Sequence, residues 1–117
     1  MALNLDYGAT FLDLANIPIP EAVQGTSLLP LMEQTATSDT WRNSIYYHYY
    51  EYPGWHSVRK HYGVRTEKAK LIRFYGDDVV DSEMYDLEKD PLELHNIFGN
   101  PDFADLQEAL EKEMVIL

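Results

Sequence analysis

Three runs that favour β-strands follow one another between Ser44 and Tyr75, in the sequence SIYYHYYEYPGWHSVRKHYGVRTEKAKLIRFY. The first run ends at Tyr52 and is dense in tyrosine, a residue that fits a pleated, half-buried surface. A Pro-Gly pair ends it, and the second and third runs, residues 61–65 and 71–75, are joined by a short polar connection typical of a hairpin. A shorter run over residues 83–87 follows. The sequence therefore predicts three or four antiparallel strands.

Helical patterns lie on both sides of these strands. Apolar residues recur at three- and four-residue steps from Leu5 to Ala15, which predicts a short amphipathic helix with Asp6 as its N-cap and with the prolines of residues 17–20 ending it. A C-terminal helix is predicted after Asp102 as its cap, with the apolar stripe Phe103, Leu106, Leu110, Met114 and Leu117. We therefore expect an α+β fold: a three- to four-stranded antiparallel sheet with the C-terminal helix packed on it, preceded by a short helix and an extended loop.

Composition limits the classes of function. The chain has 117 residues, 45% hydrophobic and 13% aromatic, which is typical of one globular domain. A net charge of −11 opposes non-specific binding to nucleic acid or to an anionic membrane, and we expect neither as a partner. The absence of cysteine excludes disulfides, thiolate metal sites and cysteine nucleophiles. No stretch approaches the ~18 apolar residues of a membrane span, and the first residues do not have the pattern of an export signal.

One segment of this acidic chain is basic. Between residues 59 and 73 Glu67 is the only acid, whereas the segment contains Arg59, Lys60, Arg65, Lys68, Lys70 and Arg73. Arginine can meet a sulfate or carboxylate with two hydrogen bonds, and the neighbouring Trp55 and tyrosines could stack on sugar rings. The segment, with His56 and His61, thus has the residue types of an anion- and sugar-binding surface. For Lys68, Lys70 and Arg73 the alternative is an ordinary solvated face of the sheet.

The residues by themselves contain no catalytic centre. His48, His56 and His61 have no carboxylate or cysteine at a ligand spacing, so no metal site is predicted. Neither a Gly-x-Ser-x-Gly elbow nor a glycine-rich phosphate loop is present. We therefore expect no catalytic residue and no cofactor within this chain.

Short motifs in a characteristic order cover nearly the whole chain. They are LDYGATFLDLA at residues 5–15, IPIP at 17–20, QGTSL at 24–28, HYGVRT at 61–66, KLI at 70–72, MYDL at 84–87 and DPLE at 90–93. As a set they resemble the C-terminal subdomain of the sulfatase family, in particular the bacterial glycan sulfatases and the N-acetylglucosamine-6-sulfatase and iduronate-sulfatase relatives.

The resemblance implies an organisation into two parts. Residues 1–40 would be a helix and linker that join the large sulfatase domain, and residues 41–117 would be the C-terminal subdomain. The family's Cys/Ser-x-Pro-x-Arg signature, whose first residue becomes formylglycine, is absent, as are the residues that hold calcium and sulfate. Both would belong to an N-terminal catalytic domain that precedes Met1 in the same polypeptide. The isolated chain would then be inactive, and the family suggests a periplasmic or extracellular full-length protein.

The resemblance also assigns roles to the basic segment. In sulfatases the loops of this subdomain contribute to recognition of the sugar, so His56, Arg59, His61 and Arg65 are candidates for contacts to hydroxyl, carboxylate or sulfate groups of a sulfated glycan. Trp55 or Tyr52 would provide a ring platform.

Two alternatives to a sulfatase fragment stay open. The chain could be a stand-alone module that binds sulfated or acidic glycans. It could also be a structural or interaction domain in which the helix at residues 5–15 and the tyrosine-rich face pack against a partner, in which case the isolated chain should self-associate.

Overall fold

An antiparallel sheet occupies residues 44–86 of the computed structural model, which describes residues 1–37, 40–77 and 79–116. Within these ranges the sheet has four strands in the order of the chain: β1 (Ser44–Tyr49), β2 (His61–Thr66), β3 (Ala69–Phe74) and β4 (Asp81–Asp86). The predicted antiparallel sheet is confirmed. Strand β1 ends three residues earlier than predicted, because its last residue, Tyr49, already pairs with the first residue of β2.

The β2–β3 connection is a tight hairpin. Thr66 closes it, since its Oγ1 accepts hydrogen bonds from the backbone N–H groups of Lys68 and Ala69 at 3.2 and 2.9 Å. Because the threonine side chain satisfies these donors, the turn needs only residues 67–68, and β3 begins two residues earlier than the sequence predicted.

Helix α3 (Ala104–Ile116) covers one face of the sheet. The core consists of Val64, Ala69, Leu71 and Met84 from the strands and Leu110 from this helix. Phe103, Leu106 and Met114 of the predicted stripe pack against that core, whereas Leu117 lies outside the described residues.

The prediction of Asp102 as the cap is wrong. A 3₁₀ turn, Pro101–Phe103, precedes the helix, and the side chain of Asn100 accepts the bond from the Asp102 N–H.

Residues 1–43 form a separate compact unit. It contains α1 (Asp6–Leu14) and the short α2 (Leu29–Met32). Asp6 was predicted to be the N-cap, but the cap position is Leu5 and Asp6 is the first helical residue. Its carboxylate instead accepts hydrogen bonds from the backbone of Leu3 and Thr26 and from Arg42. No described helix combines the length and apolar character that a membrane-crossing segment requires.

Candidate functional site

The β1–β2 loop, residues 50–60, lies beside the turn that follows β3. Together they enclose a recess of about 240 Å³. The recess is lined by Tyr52, Pro53, Arg59, Lys60, Tyr75, Gly76 and Asp77, and we call it the loop recess. All of these residues belong to the unit formed by residues 44–117. Two cationic side chains and one carboxylate face the same small volume, which suits a ligand that carries both an anionic group and hydroxyl groups.

Arg59 is held against an aromatic ring. Its guanidinium carbon lies 4.3 Å from the centroid of the Tyr52 ring, a favourable cation–π distance. The next residue, Lys60, is hydrogen-bonded to the other side of the recess, because the backbone N–H of Tyr75 donates to the Lys60 carbonyl at 3.1 Å. Both cations therefore sit on backbone that is anchored to the sheet, which favours a defined binding geometry.

His61 begins β2 and lies directly behind Arg59. Its Nδ1 is 2.7 Å from the carbonyl oxygen of Arg59. The ring stacks on Tyr49, with centroids 5.5 Å apart and planes at 19°, and also contacts Tyr47 and Phe74. His61 is thus half-buried among aromatic rings and joined to the loop by a hydrogen bond.

A second histidine, His48, contacts Tyr75, which lines the side of the recess formed by the turn after β3. The Nε2 of His48 lies 2.7 Å from the Tyr75 hydroxyl, and its Nδ1 lies 3.2 Å from the Tyr46 hydroxyl. The ring of Tyr50 stacks on His48 at 3.8 Å. The sequence indicated Lys60 only as one member of the basic segment and did not indicate Tyr75 as a site residue. The predicted β2–β3 hairpin could have indicated Tyr75, because antiparallel pairing places the end of β3 next to the start of β2.

The other candidate residues occupy different places. Trp55 and His56 are in the same loop but do not line the recess, and Trp55 is 94% exposed. Arg65 is near the far end of β2, roughly 13 Å from His61 at the usual rise per residue of a strand. Its guanidinium lies 3.9 Å from the carboxylate of Glu93. The structure therefore brings Arg59 and His61 together, places Trp55 and His56 beside them, and separates Arg65 from all four.

Acidic side chains from other segments neutralise much of the basic segment. Lys70 forms an ion pair with Glu93 and is only 17% exposed. Arg73 reaches Glu111 of α3 at 2.5 Å and the hydroxyl of Ser82 at 2.7 Å. The alternative of a solvated face is therefore wrong for Lys70 and Arg73, whereas it describes the exposed Lys68, which pairs with Glu88. Arg59 and Lys60 are the two residues of the basic segment that line the loop recess.

Two tyrosines on the sheet stay protonated at neutral pH. Burial is the main cause that raises the pKa of Tyr47 to about 12, and the carboxylate of Glu93 adds to it. Burial also raises the pKa of Tyr85 to about 12, together with its hydrogen bond to Glu83. Neither phenol can act as a general base near pH 7, and the Tyr85 hydroxyl donates to the Glu83 carboxylate at 2.9 Å.

The chain's residues do not fit the calcium and formylglycine of sulfatases. In residues 1–37, 40–77 and 79–116 no group of three or more His, Asp or Glu side chains could hold a metal ion. The sequence contains no cysteine and no Ser-x-Pro-x-Arg motif that could supply the formylglycine. Catalysis that uses calcium and formylglycine would need residues outside those that the structure describes.

Comparison with protein families settles the family. Residues 1–117 match the profile of the family described as N-sulphoglucosamine sulphohydrolase, C-terminal. The chain belongs to this family. The resemblance to the C-terminal subdomain of sulfatases is therefore confirmed, and with it the α+β fold.

The chain matches only a small part of two sulfatases from other bacteria. This chain is 48% identical over 111 residues to an N-acetylglucosamine-6-O-sulfatase of Bacteroides thetaiotaomicron. It is 34% identical over 113 residues to an arylsulfatase of Clostridium perfringens. The matches cover 94% of this chain in both cases, but 20% of the first protein and 21% of the second. The domain thus spans about a fifth of the length of these relatives.

Solved structures agree with this assignment. The structure of BT4656 in complex with its substrate D-glucosamine-2-N,6-O-disulfate matches at 47% identity and a TM-score of 0.88, over 94% of this chain and 22% of that one. The phosphonate monoester hydrolase of Agrobacterium radiobacter shares the fold, with a TM-score of 0.72 at 21% identity over 94% of this chain and 23% of that chain.

Proposed function

We propose that this domain is the C-terminal part of a sulfatase that hydrolyses sulfate esters of sulfated glycans, with a sulfated glucosamine as the substrate class. The observation that carries the proposal is the 48% identity to an N-acetylglucosamine-6-O-sulfatase across 94% of the chain. In this proposal residues 1–40 join the large N-terminal domain and residues 41–117 form the C-terminal subdomain. The calcium ion and the formylglycine belong to the N-terminal domain, so the isolated chain is inactive.

The role of the domain in this proposal is recognition of the sugar. Arg59 and Lys60 meet an anionic group of the substrate in the loop recess. Trp55, at the exposed tip of the same loop, provides a ring face for the sugar, and His56 adds a hydrogen-bonding side chain. Arg65, near the other end of β2, does not line the loop recess and would contact a different group of the substrate.

Kinetics of the full-length polypeptide test this role. With D-glucosamine-2-N,6-O-disulfate as substrate, Arg59→Ala should raise KM roughly tenfold and leave kcat nearly unchanged, because a contact that is equal in ground and transition states affects KM alone. Lys68→Ala is the matched control, since Lys68 belongs to the same basic segment but is exposed and paired with Glu88. A KM for Arg59→Ala equal to that of the control contradicts the role of the loop recess.

A stand-alone glycan-binding module is the second candidate function. The observation in its favour is that every residue lining the loop recess lies within residues 52–77 of this chain. A module of this kind binds a sulfated disaccharide without the catalytic domain, with an affinity that falls as salt is added and falls further in Arg59→Ala. Isothermal titration of the 117-residue chain distinguishes the two, because the sulfatase proposal expects tight binding only in the full-length polypeptide.

A further inference from the structure

The hydrogen bond between His61 and Arg59 defines a protonation state. A backbone carbonyl oxygen can only accept, so the Nδ1 of His61, 2.7 Å away, must carry the proton and donate it. The ring is therefore held in the Nδ1–H form when it is neutral.

The surroundings of the ring prevent it from turning away. Tyr49 stacks on one side, Tyr47 contacts it edge-on at 5.9 Å, and Phe74 lies at 5.4 Å. Tyr49 and Phe74 are also the residues that pair with His61 across β1 and β3. The side chain is thus held between aromatic rings at the end of the sheet where β2 begins, with its Nδ1 against the Arg59 carbonyl.

We infer that His61 is a positioning residue, which through its Nδ1–H holds the main chain at Arg59 and so places the Arg59 guanidinium in the loop recess. The guanidinium then rests on the Tyr52 ring at 4.3 Å, and the carbonyl of the following residue, Lys60, is held by Tyr75. The inference rests on the proposed function, since it assigns His61 an indirect role in substrate binding. A direct contact between His61 and the substrate is not needed for that role.

Two substitutions separate the positioning role from simple packing. The side-chain amide of asparagine places an N–H near the position of Nδ1, whereas the longer glutamine places it near the position of Nε2. His61→Asn should therefore keep the bond to the Arg59 carbonyl, and His61→Gln should lose it. Both remove the aromatic ring, so a role in packing alone predicts the same effect for the two variants.

The first measurement uses the 117-residue chain with ¹⁵N-labelled histidine. Nitrogen–proton correlation spectra of the neutral ring should show His61 as the Nδ1–H form. The exposed His56 serves as the internal reference for a ring that exchanges between its two forms. A spectrum in which His61 carries its proton on Nε2 overturns the inference, whatever the activity of the full-length protein.

The second measurement is the KM of the full-length polypeptide for D-glucosamine-2-N,6-O-disulfate. We expect His61→Gln to raise KM roughly fivefold with kcat retained, which corresponds to the loss of one hydrogen bond, and His61→Asn to stay within about twofold of the wild type. Equal effects of the two variants overturn the positioning role. Arg59→Ala separates the two proposals. If it raises KM while His61→Gln does not, only the inference fails. If it has no effect, the proposed role of the loop recess fails and the inference with it.

Discussion

Asp6 and Arg42 are 36 residues apart in the chain and form a bidentate ion pair, with Nη1···Oδ2 and Nη2···Oδ1 distances of 2.6 and 2.7 Å. The carboxylate is fully buried, and the arginine side chain is 18% exposed. Asp6 also accepts the backbone N–H groups of Leu3 and Thr26 at 2.8 and 3.0 Å. One carboxylate thus joins the start of α1, the loop before α2 and the end of the first unit.

Loss of Arg42 should destabilise the first unit strongly. Arg42→Met leaves the Asp6 charge buried with only two backbone partners, and the loss of one member of a buried ion pair costs about 3 kcal/mol. Urea unfolding followed by Trp41 fluorescence measures this in a Trp55→Phe background. Lys112→Met, which breaks the exposed pair with Glu108, should cost less than about 1 kcal/mol. Equal costs for the two variants would contradict the buried role of Asp6.

The same carboxylate predicts a pH dependence. Burial raises the pKa of Asp6, but the hydrogen bonds from Arg42, Thr26 and Leu3 outweigh it, so the pKa lies below its usual range. A carboxyl with a lowered folded-state pKa contributes stability that is fully present above the pKa of the unfolded chain, about 3.9, and is lost as the pH falls through the folded-state pKa. The unfolding free energies of wild type and Asp6→Asn should therefore differ by a constant amount from pH 7 to about pH 5 and converge below about pH 4. A difference that persists unchanged to the acid limit of the folded state contradicts this assignment.

The core between α3 and the sheet predicts a conventional cavity effect. Leu110 is 3% exposed and packs against Val64, Leu71 and Met84, so Leu110→Ala should reduce the free energy of unfolding by about 3 kcal/mol. Val115→Ala is the matched control on the same helix, because Val115 is 86% exposed. Guanidinium unfolding monitored by far-UV circular dichroism measures both. A cost for Leu110→Ala no larger than for Val115→Ala would show that the helix is not docked as described.

The sheet could be predicted because its determinants are local. Tyrosine and isoleucine in the first run and the alternation around Val64 and Leu71 favour strands regardless of the rest of the chain. The turn that follows Thr66 could also be predicted, because a short polar connection between two strand-forming runs is typical of a hairpin. The apolar stripe of α3 follows from helical periodicity, since Leu110 is buried at the position that the spacing indicates.

The roles of individual polar side chains could not be predicted, because they depend on distant segments. Asp6 has the position of an N-cap in the sequence, yet its partner Arg42 comes from 36 residues further along the chain. Arg73 has the spacing of a solvated strand residue, yet it forms an ion pair with Glu111 of α3, the helix that covers this face of the sheet. In the loop recess, Arg59 and His61 are two residues apart and could be grouped from sequence, whereas Tyr75 comes to them through strand pairing.

Arg59 and Arg65 should act independently on substrate binding. Arg59 lies in the loop recess, whereas Arg65 is near the other end of β2 beside Glu93. Side chains more than about 10 Å apart with no common partner usually contribute additively. In the full-length polypeptide the factor by which KM rises in the Arg59→Ala/Arg65→Ala double variant should therefore equal the product of the two single factors. A double variant no worse than Arg59→Ala alone contradicts a role for Arg65.

The exposed side of α1 predicts the behaviour of the isolated chain. Tyr7, Phe11 and Leu14 recur at steps of four and three residues, so they lie on one side of the helix, and Phe11 is 68% exposed. The opposite side, with Asp6, Ala9 and Thr10, is buried. In the proposed full-length sulfatase the N-terminal domain covers this stripe. In the isolated chain it is open to solvent, and an apolar stripe of this kind favours association between copies.

Sedimentation velocity of the 117-residue chain measures this association. We expect the wild type to shift to faster sedimentation as concentration rises, and Phe11→Lys to remain monomeric with an unchanged unfolding midpoint, because Phe11 contributes little to the interior. Val115→Lys removes an equally exposed apolar residue from α3 and should associate like the wild type. A strictly monomeric wild type would mean that the stripe is not a contact surface, and an effect of both substitutions would place the association elsewhere than on α1.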